Sequence, residues 1–133
     1  MKRFLVTGAN GFIGGRLIAR LQRHGLLVLA PVHERSEEMR AAAGVDAVAH
    51  LAGRVHALSE GRDDTQLYDA VNVEGTRNVL EAALDRGVGR VLFFSSVKAM
   101  GEGGRECLDE SAEATVESAV ASWISQNGPL VSR

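Results

Sequence analysis

At 133 residues, with an apolar fraction of 45% and a charged fraction of 24%, the chain has the composition of one globular domain and little room for a second. Its formal net charge of −2 gives no electrostatic reason to expect nucleic acid or an anionic membrane as partner. No segment reaches the ~18 uninterrupted apolar residues of a membrane span, and Cys107, the one cysteine, excludes an internal disulfide.

The apolar opening, Phe4 to Val6, is broken at once by Gly8, Asn10 and Gly11, so no secretory h-region forms. With a lone thiol that fits a reducing compartment, a cytoplasmic location is expected. Residues 3–7 form a short apolar run ending in a glycine-rich turn, which predicts a buried parallel strand. From Phe12 to His24 the spacing becomes helical. Ile13, Leu17, Ile18 and Leu21 share one face, Arg16, Arg20 and Arg23 the other, and Gly25 supplies the stop. Residues 26–32 are again apolar, and Pro31 suits an edge or strand-terminal position.

Ser36 as N-cap and Glu37 and Glu38 in the first turn predict a short helix through Ala43, ended by Gly44. Residues 47–51 predict a third strand, and residues 59–64 a polar loop. A long helix follows over about 65–86, with Leu67, Val71, Gly75, Val79 and Ala82 as its packed stripe. Residues 90–95 read as a fourth strand. Beyond Gly101 the pattern fades: 101–104 is loop, 113–125 has helical character, and Gly128-Pro129 breaks it. Strands alternating with helices at this spacing predict an α/β fold with a parallel sheet.

The turn Gly8-Ala9-Asn10-Gly11-Phe12-Ile13-Gly14 joins the first strand to the first helix. In such a turn Gly8 permits a tight exit from the strand and Gly11 lets the backbone approach a pyrophosphate. Gly14 lets the helix pack on the sheet, while the helix N-terminus aims free N–H groups and its dipole at the phosphates. The strand–turn–helix–strand context is what such a glycine pattern needs in order to read as a dinucleotide site. No two histidines stand at ligand spacing and no Cys/His cluster exists, so no metal is expected. His50 reads as a packed, hydrogen-bonded histidine rather than a base, and His24 and His56 as surface residues.

The spacing Gly8-x-x-Gly11-x-x-Gly14 after Thr7 resembles the TGxxGxxG motif of the extended short-chain dehydrogenase/reductase family, which contains the nucleotide-sugar epimerases and dehydratases. Three further blocks resemble it in the same order: residues 46–53 (DAVAHLAG), 72–78 (NVEGTRN) and 91–101 (VLFFSSVKAMG). The last looks most like bacterial UDP-hexose and N-acetylhexosamine 4-epimerases. The resemblance implies a Rossmann-like, doubly wound parallel sheet, shortened to about four strands and without a substrate lobe, that binds NAD or NADP. It places Thr7, Gly8, Gly11, Phe12, Ile13 and Gly14 at the cofactor, with Phe12 and Ile13 against its pyrophosphate. Leu51, Ala52 and Gly53 would line the nicotinamide side, Asn72 would steady that wall, and Ser95 would adjoin the cofactor. Ser96 would hydrogen-bond the sugar oxygen being oxidised. A nucleotide-sugar substrate is implied, with neither nucleic acid nor membrane as partner.

Three departures qualify this. The acid that ends the second strand in NAD-preferring members falls here on Val32 or His33; Arg35 would meet a 2′-phosphate and Glu34 a ribose, so NAD and NADP both stay open. The link from the second strand to Asp46 is about a dozen residues, near the minimum for a parallel crossover, where the family has a helix, a strand and a helix. Eight helical residues cover ~12 Å and four extended ones ~13 Å, enough to return along a short strand. The strand left out would have been at the sheet edge. Finally, the family's base is a tyrosine with a lysine four residues on, its pKa lowered by that lysine. The chain's one tyrosine, Tyr68, precedes Ser96 and is followed at four residues by Asn72; its two lysines are Lys2 and Lys98. The expected organisation is therefore a dinucleotide-binding domain over 1–115 and a divergent tail over 116–133, truncated relative to the family, with self-association to cover apolar surface.

Overall fold

The computed structural model describes residues 1–31, 44–53 and 69–95. The helix expected at 36–43, the loop at 59–64, the first turn of the helix expected from 65, and everything from Ser96 onward lie outside the described residues. The elements are β1 (Arg3–Thr7), α1 (Phe12–Arg23), β2 (Leu27–Leu29), β3 (Ala47–His50), α2 (Gly75–Asp85) and β4 (Val91–Phe93). A π-helical stretch, Asp69–Glu74, leads directly into α2.

The strands form one sheet in the order β2-β1-β3-β4, every pairing parallel. Leu5 lies beside Val48, and Val48 beside Val91, so these three share a face. With Val45 they meet Val79 and Ala83 of α2 in the main core, flanked by Ala82 and Val88. Each large aliphatic side chain so buried contributes roughly 1.5–3 kcal/mol relative to exposure. The alternate residues Val6, Ala47 and Ala49 are buried too, as expected of central parallel strands covered on both faces. Helix α1 packs along β1 and β2, with Leu17, Ile18 and Leu21 half-buried. The sheet is doubly wound.

Register is pinned where β3 begins. The Arg3 N–H donates to Asp46 Oδ2 at 2.6 Å, and the Asp46 N–H donates back to the Arg3 carbonyl at 2.9 Å. Helix α1 ends as its glycine predicts: Gly25 takes φ 73°, and the N–H groups of Gly25 and Leu26 reach the carbonyls of Gln22 and Leu21. The same pair of bonds closes α2 at Gly87 and Val88.

Several boundaries differ from the sequence reading. The second strand is Leu27–Leu29 rather than 26–32, and the fourth Val91–Phe93 rather than 90–95. Both are edges of the sheet among the described residues, each paired on one side only. The third strand stops at His50, one residue short of the expected end. On α2 the buried positions are Thr76, Val79, Leu80 and Ala83. The stripe thus passes through Thr76 rather than Gly75, with Thr76, Val79, Leu80 and Ala83 at the i, i+3, i+4 and i+7 positions of one helix face. Ile13, expected on the packed face of α1, is 53% exposed at the helix N-terminus, beyond the edge of the core.

Candidate functional site

In a parallel sheet of this order, direction reverses between β1 and β3, and ligands bind outside the carboxyl ends of the strands at that switch point. Thr7 and His50 are the last residues of those two strands. The glycine turn leaves from Thr7, and the peptide Leu51-Ala52-Gly53 leaves from His50.

The turn is built so tightly that its glycines admit no side chain. Gly8 has φ 67°, and a Cβ there would lie 2.7 Å from the Ala52 nitrogen and from the Leu51 carbonyl carbon. A Cβ on Gly14 would lie 2.1 Å from the Gly8 carbonyl oxygen. Gly8 therefore lets the turn abut the wall after β3, and Gly14 lets α1 abut the turn. The Gly11 N–H closes the turn on the Gly8 carbonyl at 3.0 Å.

Gly11 is the N-cap of α1 and supplies no side-chain cap, and the first turn carries no acid. The first intrahelical bond runs from the Gly15 N–H to the Gly11 carbonyl. That leaves the N–H groups of Phe12, Ile13 and Gly14 without a protein acceptor among the described residues. Uncapped helix N–H groups carry partial positive charge and attract anions. The Phe12 side chain is 78% exposed, and the Arg16 guanidinium stacks over its ring at 4.4 Å, adding a full positive charge beside the same turn. The site thus fits a pyrophosphate: close backbone approach, unpartnered donors and no carboxylate in the first turn of the helix.

Behind the turn lies a buried polar chain. Thr7 accepts from the Ala52 N–H at 3.3 Å, and its hydroxyl lies 2.6 Å from His50 Nδ1. His50 Nε2 lies 3.1 Å from the Thr76 hydroxyl, which donates to the Asn72 carbonyl at 2.7 Å. Thr7, His50 and Thr76 are all at most 2% exposed. His50 stacks on Phe93, ring centroids 5.8 Å apart. Burial pushes its imidazole down from 6.5 to about 4, so it is neutral at physiological pH. His50 is, as its sequence setting suggests, a packed and hydrogen-bonded histidine.

The structure brings Thr7, Gly8, Gly11, Phe12, Ile13, Gly14, Leu51, Ala52, Gly53 and Asn72 to one end of the sheet. Thr7 stands behind the turn rather than facing outward. Asn72 faces Gly53, where a Cβ would lie 3.5 Å from Asn72 Oδ1. Ser95 is exposed just past β4, next to Phe94, whose N–H donates to the His50 carbonyl at 3.1 Å. His33, Arg35 and Ser96 lie outside the described residues. The sequence reading missed Thr76. Its signal was the four-residue spacing from Asn72, which sets both on one helix face. Among the described residues no group of three or more His, Cys, Asp or Glu side chains is gathered to hold a metal. No described helix is long and apolar enough to cross a membrane.

The model of the NAD dependent epimerase/dehydratase family matches residues 4–121. The chain belongs to that family. It is 31% identical to a UDP-glucose 4-epimerase of Vibrio cholerae, over 77% of this chain and 37% of the relative. It is 36% identical to N-acetyl-alpha-D-glucosaminyl-diphospho-ditrans,octacis-undecaprenol 4-epimerase of Escherichia coli O157:H7, over 73% of this chain and 33% of the relative. Among solved structures, a short-chain dehydrogenase/reductase superfamily protein of Agrobacterium tumefaciens with bound NAD superposes with a TM-score of 0.78 at 28% identity, covering 97% of this chain and 46% of that one. UDP-glucose 4-epimerase of Thermus thermophilus, complexed with NAD, superposes at 0.71 and 26% identity, covering 90% and 46%. The chain thus spans about a third of the length of these curated relatives and about half of these solved ones. The first alignment runs over 121 positions yet engages only 77% of this 133-residue chain, so the epimerase has residues with no counterpart here.

Proposed function

We propose that this chain is the NAD(P)-binding domain of a nucleotide-sugar epimerase or dehydratase, of the UDP-hexose 4-epimerase kind. The observation that carries this reading is the uncapped N-terminus of α1, with its three unpartnered N–H groups, set at the switch point of a family-typical sheet. In this reading the Phe12, Ile13 and Gly14 amides bind the pyrophosphate. Leu51, Ala52 and Gly53 form the wall beside the nicotinamide, held by Asn72. A nicotinamide held against this wall would supply reversible hydride transfer with a sugar carbon. By resemblance Ser96 hydrogen-bonds the sugar oxygen, Ser95 adjoins the cofactor, and His33 and Arg35 meet the adenosine ribose or its 2′-phosphate.

As a separate polypeptide these 133 residues bind the cofactor without turning over sugar. They contain no tyrosine after Ser96 and no Tyr-x-x-x-Lys pair, so the group that would take the hydroxyl proton is missing. A non-catalytic NAD(P)-binding module is the reading this absence favours for these residues on their own. Calorimetric titration with NAD⁺ and NADP⁺ tests the binding: saturable heat with one of them is expected, and no heat with either at millimolar concentration overturns it. Interconversion of a UDP-sugar by the isolated chain would overturn the expected inactivity.

A further inference from the structure

The polar chain behind the glycine turn has a direction, and that direction has a consequence for the site. Its two ends are backbone groups of fixed polarity: the Ala52 N–H can only donate, and the Asn72 carbonyl can only accept. Between them stand two hydroxyls and one imidazole, all buried. The Thr76 hydroxyl spends its proton on the Asn72 carbonyl, so at 3.1 Å it accepts from His50 Nε2–H. Nδ1 of a neutral imidazole is then an acceptor, and the Thr7 hydroxyl donates to it at 2.6 Å while accepting from Ala52. Reversing the order would strand the Thr7 proton in the interior, since Nδ1 would then donate to the same oxygen as Ala52 does, and a buried unmade bond costs about 1–3 kcal/mol. One tautomer satisfies every member.

The chain also crosses the site from wall to wall. Ala52 belongs to the peptide that Gly8 abuts, and Asn72 sits in the π-helical turn whose side chain faces Gly53. We propose that His50 is a positioning residue of the dinucleotide site: fixed as the Nε2–H tautomer by Thr7 and Thr76, it ties the wall after β3 to the helix across the switch point and holds that wall ready for the nicotinamide. This rests on the cofactor reading given above. An aliphatic side chain would fill the same space but would take the acceptor from the buried Thr7 hydroxyl and leave the Ala52 and Asn72 backbone groups independent of one another.

Thr76 touches only His50 and Asn72 among these groups and stands behind the wall, so its substitution tests coupling rather than direct contact. In the full chain, Thr76→Val is expected to weaken NAD⁺ roughly fivefold by calorimetry, the equivalent of about 1 kcal/mol. It also speeds hydrogen exchange at the Ala52 amide, while circular dichroism reports an intact fold. Thr76→Ser, which keeps the hydroxyl, restores most of the lost affinity; a purely packing role would reverse that order. Long-range ¹H–¹⁵N spectra of the wild-type imidazole are expected to give the Nε2–H tautomer. The Nδ1–H tautomer overturns the inference, and does so even if Thr76→Val fails to fold. A wild type that binds no NAD⁺ sinks the cofactor reading and this inference with it. A wild type that binds, with Thr76→Val binding equally well, overturns the inference alone.

Discussion

Two residues show how closely stability and binding are joined at this site. A Cβ at Gly14 would fall 2.1 Å from a backbone oxygen that cannot swing away. Gly14→Ala should therefore force α1 off the turn and cost about 2 kcal/mol in denaturant unfolding, within the range of overpacked interiors. At His50 the effect is one of pH. Its folded pKa of about 4 lies below the ordinary 6.5 because burial disfavours the charged ring. Between those values the unfolded chain binds a proton that the folded chain refuses. Stability from this group is thus complete above about pH 6.5 and is lost as the pH falls towards 4. The loss is on the order of 3 kcal/mol. Urea unfolding at intervals between pH 7 and 4 should show this slope, and His50→Gln should flatten it.

Among the elements, α1 shows a conflict between helix stability and ligand binding. Its N-terminus has no cap and no acid, which costs the helix but leaves N–H donors for an anion. Ile13→Glu should invert that trade. Ile13 is half exposed, and an acid in the first turn is worth about 0.3–1 kcal/mol to the helix. We expect an unchanged or slightly raised melting temperature, with NAD⁺ affinity at least about tenfold lower from charge repulsion. The elements were largely legible in the sequence because each carries its own punctuation. Apolar runs gave β1 and β3, and Gly25 and Gly87 gave the two helix ends. The polar chain was not legible as such. Thr7, His50 and Thr76 look unrelated along the chain, and only the β1–β3 register and the widened turn before α2 bring them together. Thr76 also falls on the packed stripe of α2, three residues before Val79, a position that apolar periodicity passes over because its side chain is polar. The catalytic assignment to Ser96 and the ribose assignments to His33 and Arg35 rest on resemblance, at positions outside the described residues.

For the whole molecule, the sheet order matters most. Among the described residues the short strands β2 and β4 are its two edges, and both carry exposed apolar side chains: Leu27 and Leu29 on one, Leu92 with neighbouring Phe94 on the other. Open parallel edges with apolar flanks favour association. Sedimentation at increasing concentration should reveal self-association that Leu92→Lys reduces, and a monodisperse monomer would count against it.

The close contact between Gly14 and Gly8 has an evolutionary consequence. A single base change in a glycine codon yields either glycine again, a stop, or a residue that carries a Cβ. No one-step substitution at Gly14 is therefore neutral while the turn is under selection. The constraint comes from the fold itself: as long as α1 stays packed on the turn, Gly14 cannot drift, whether or not a dinucleotide is bound. This chain, which lacks the tyrosine–lysine pair, still has its glycine.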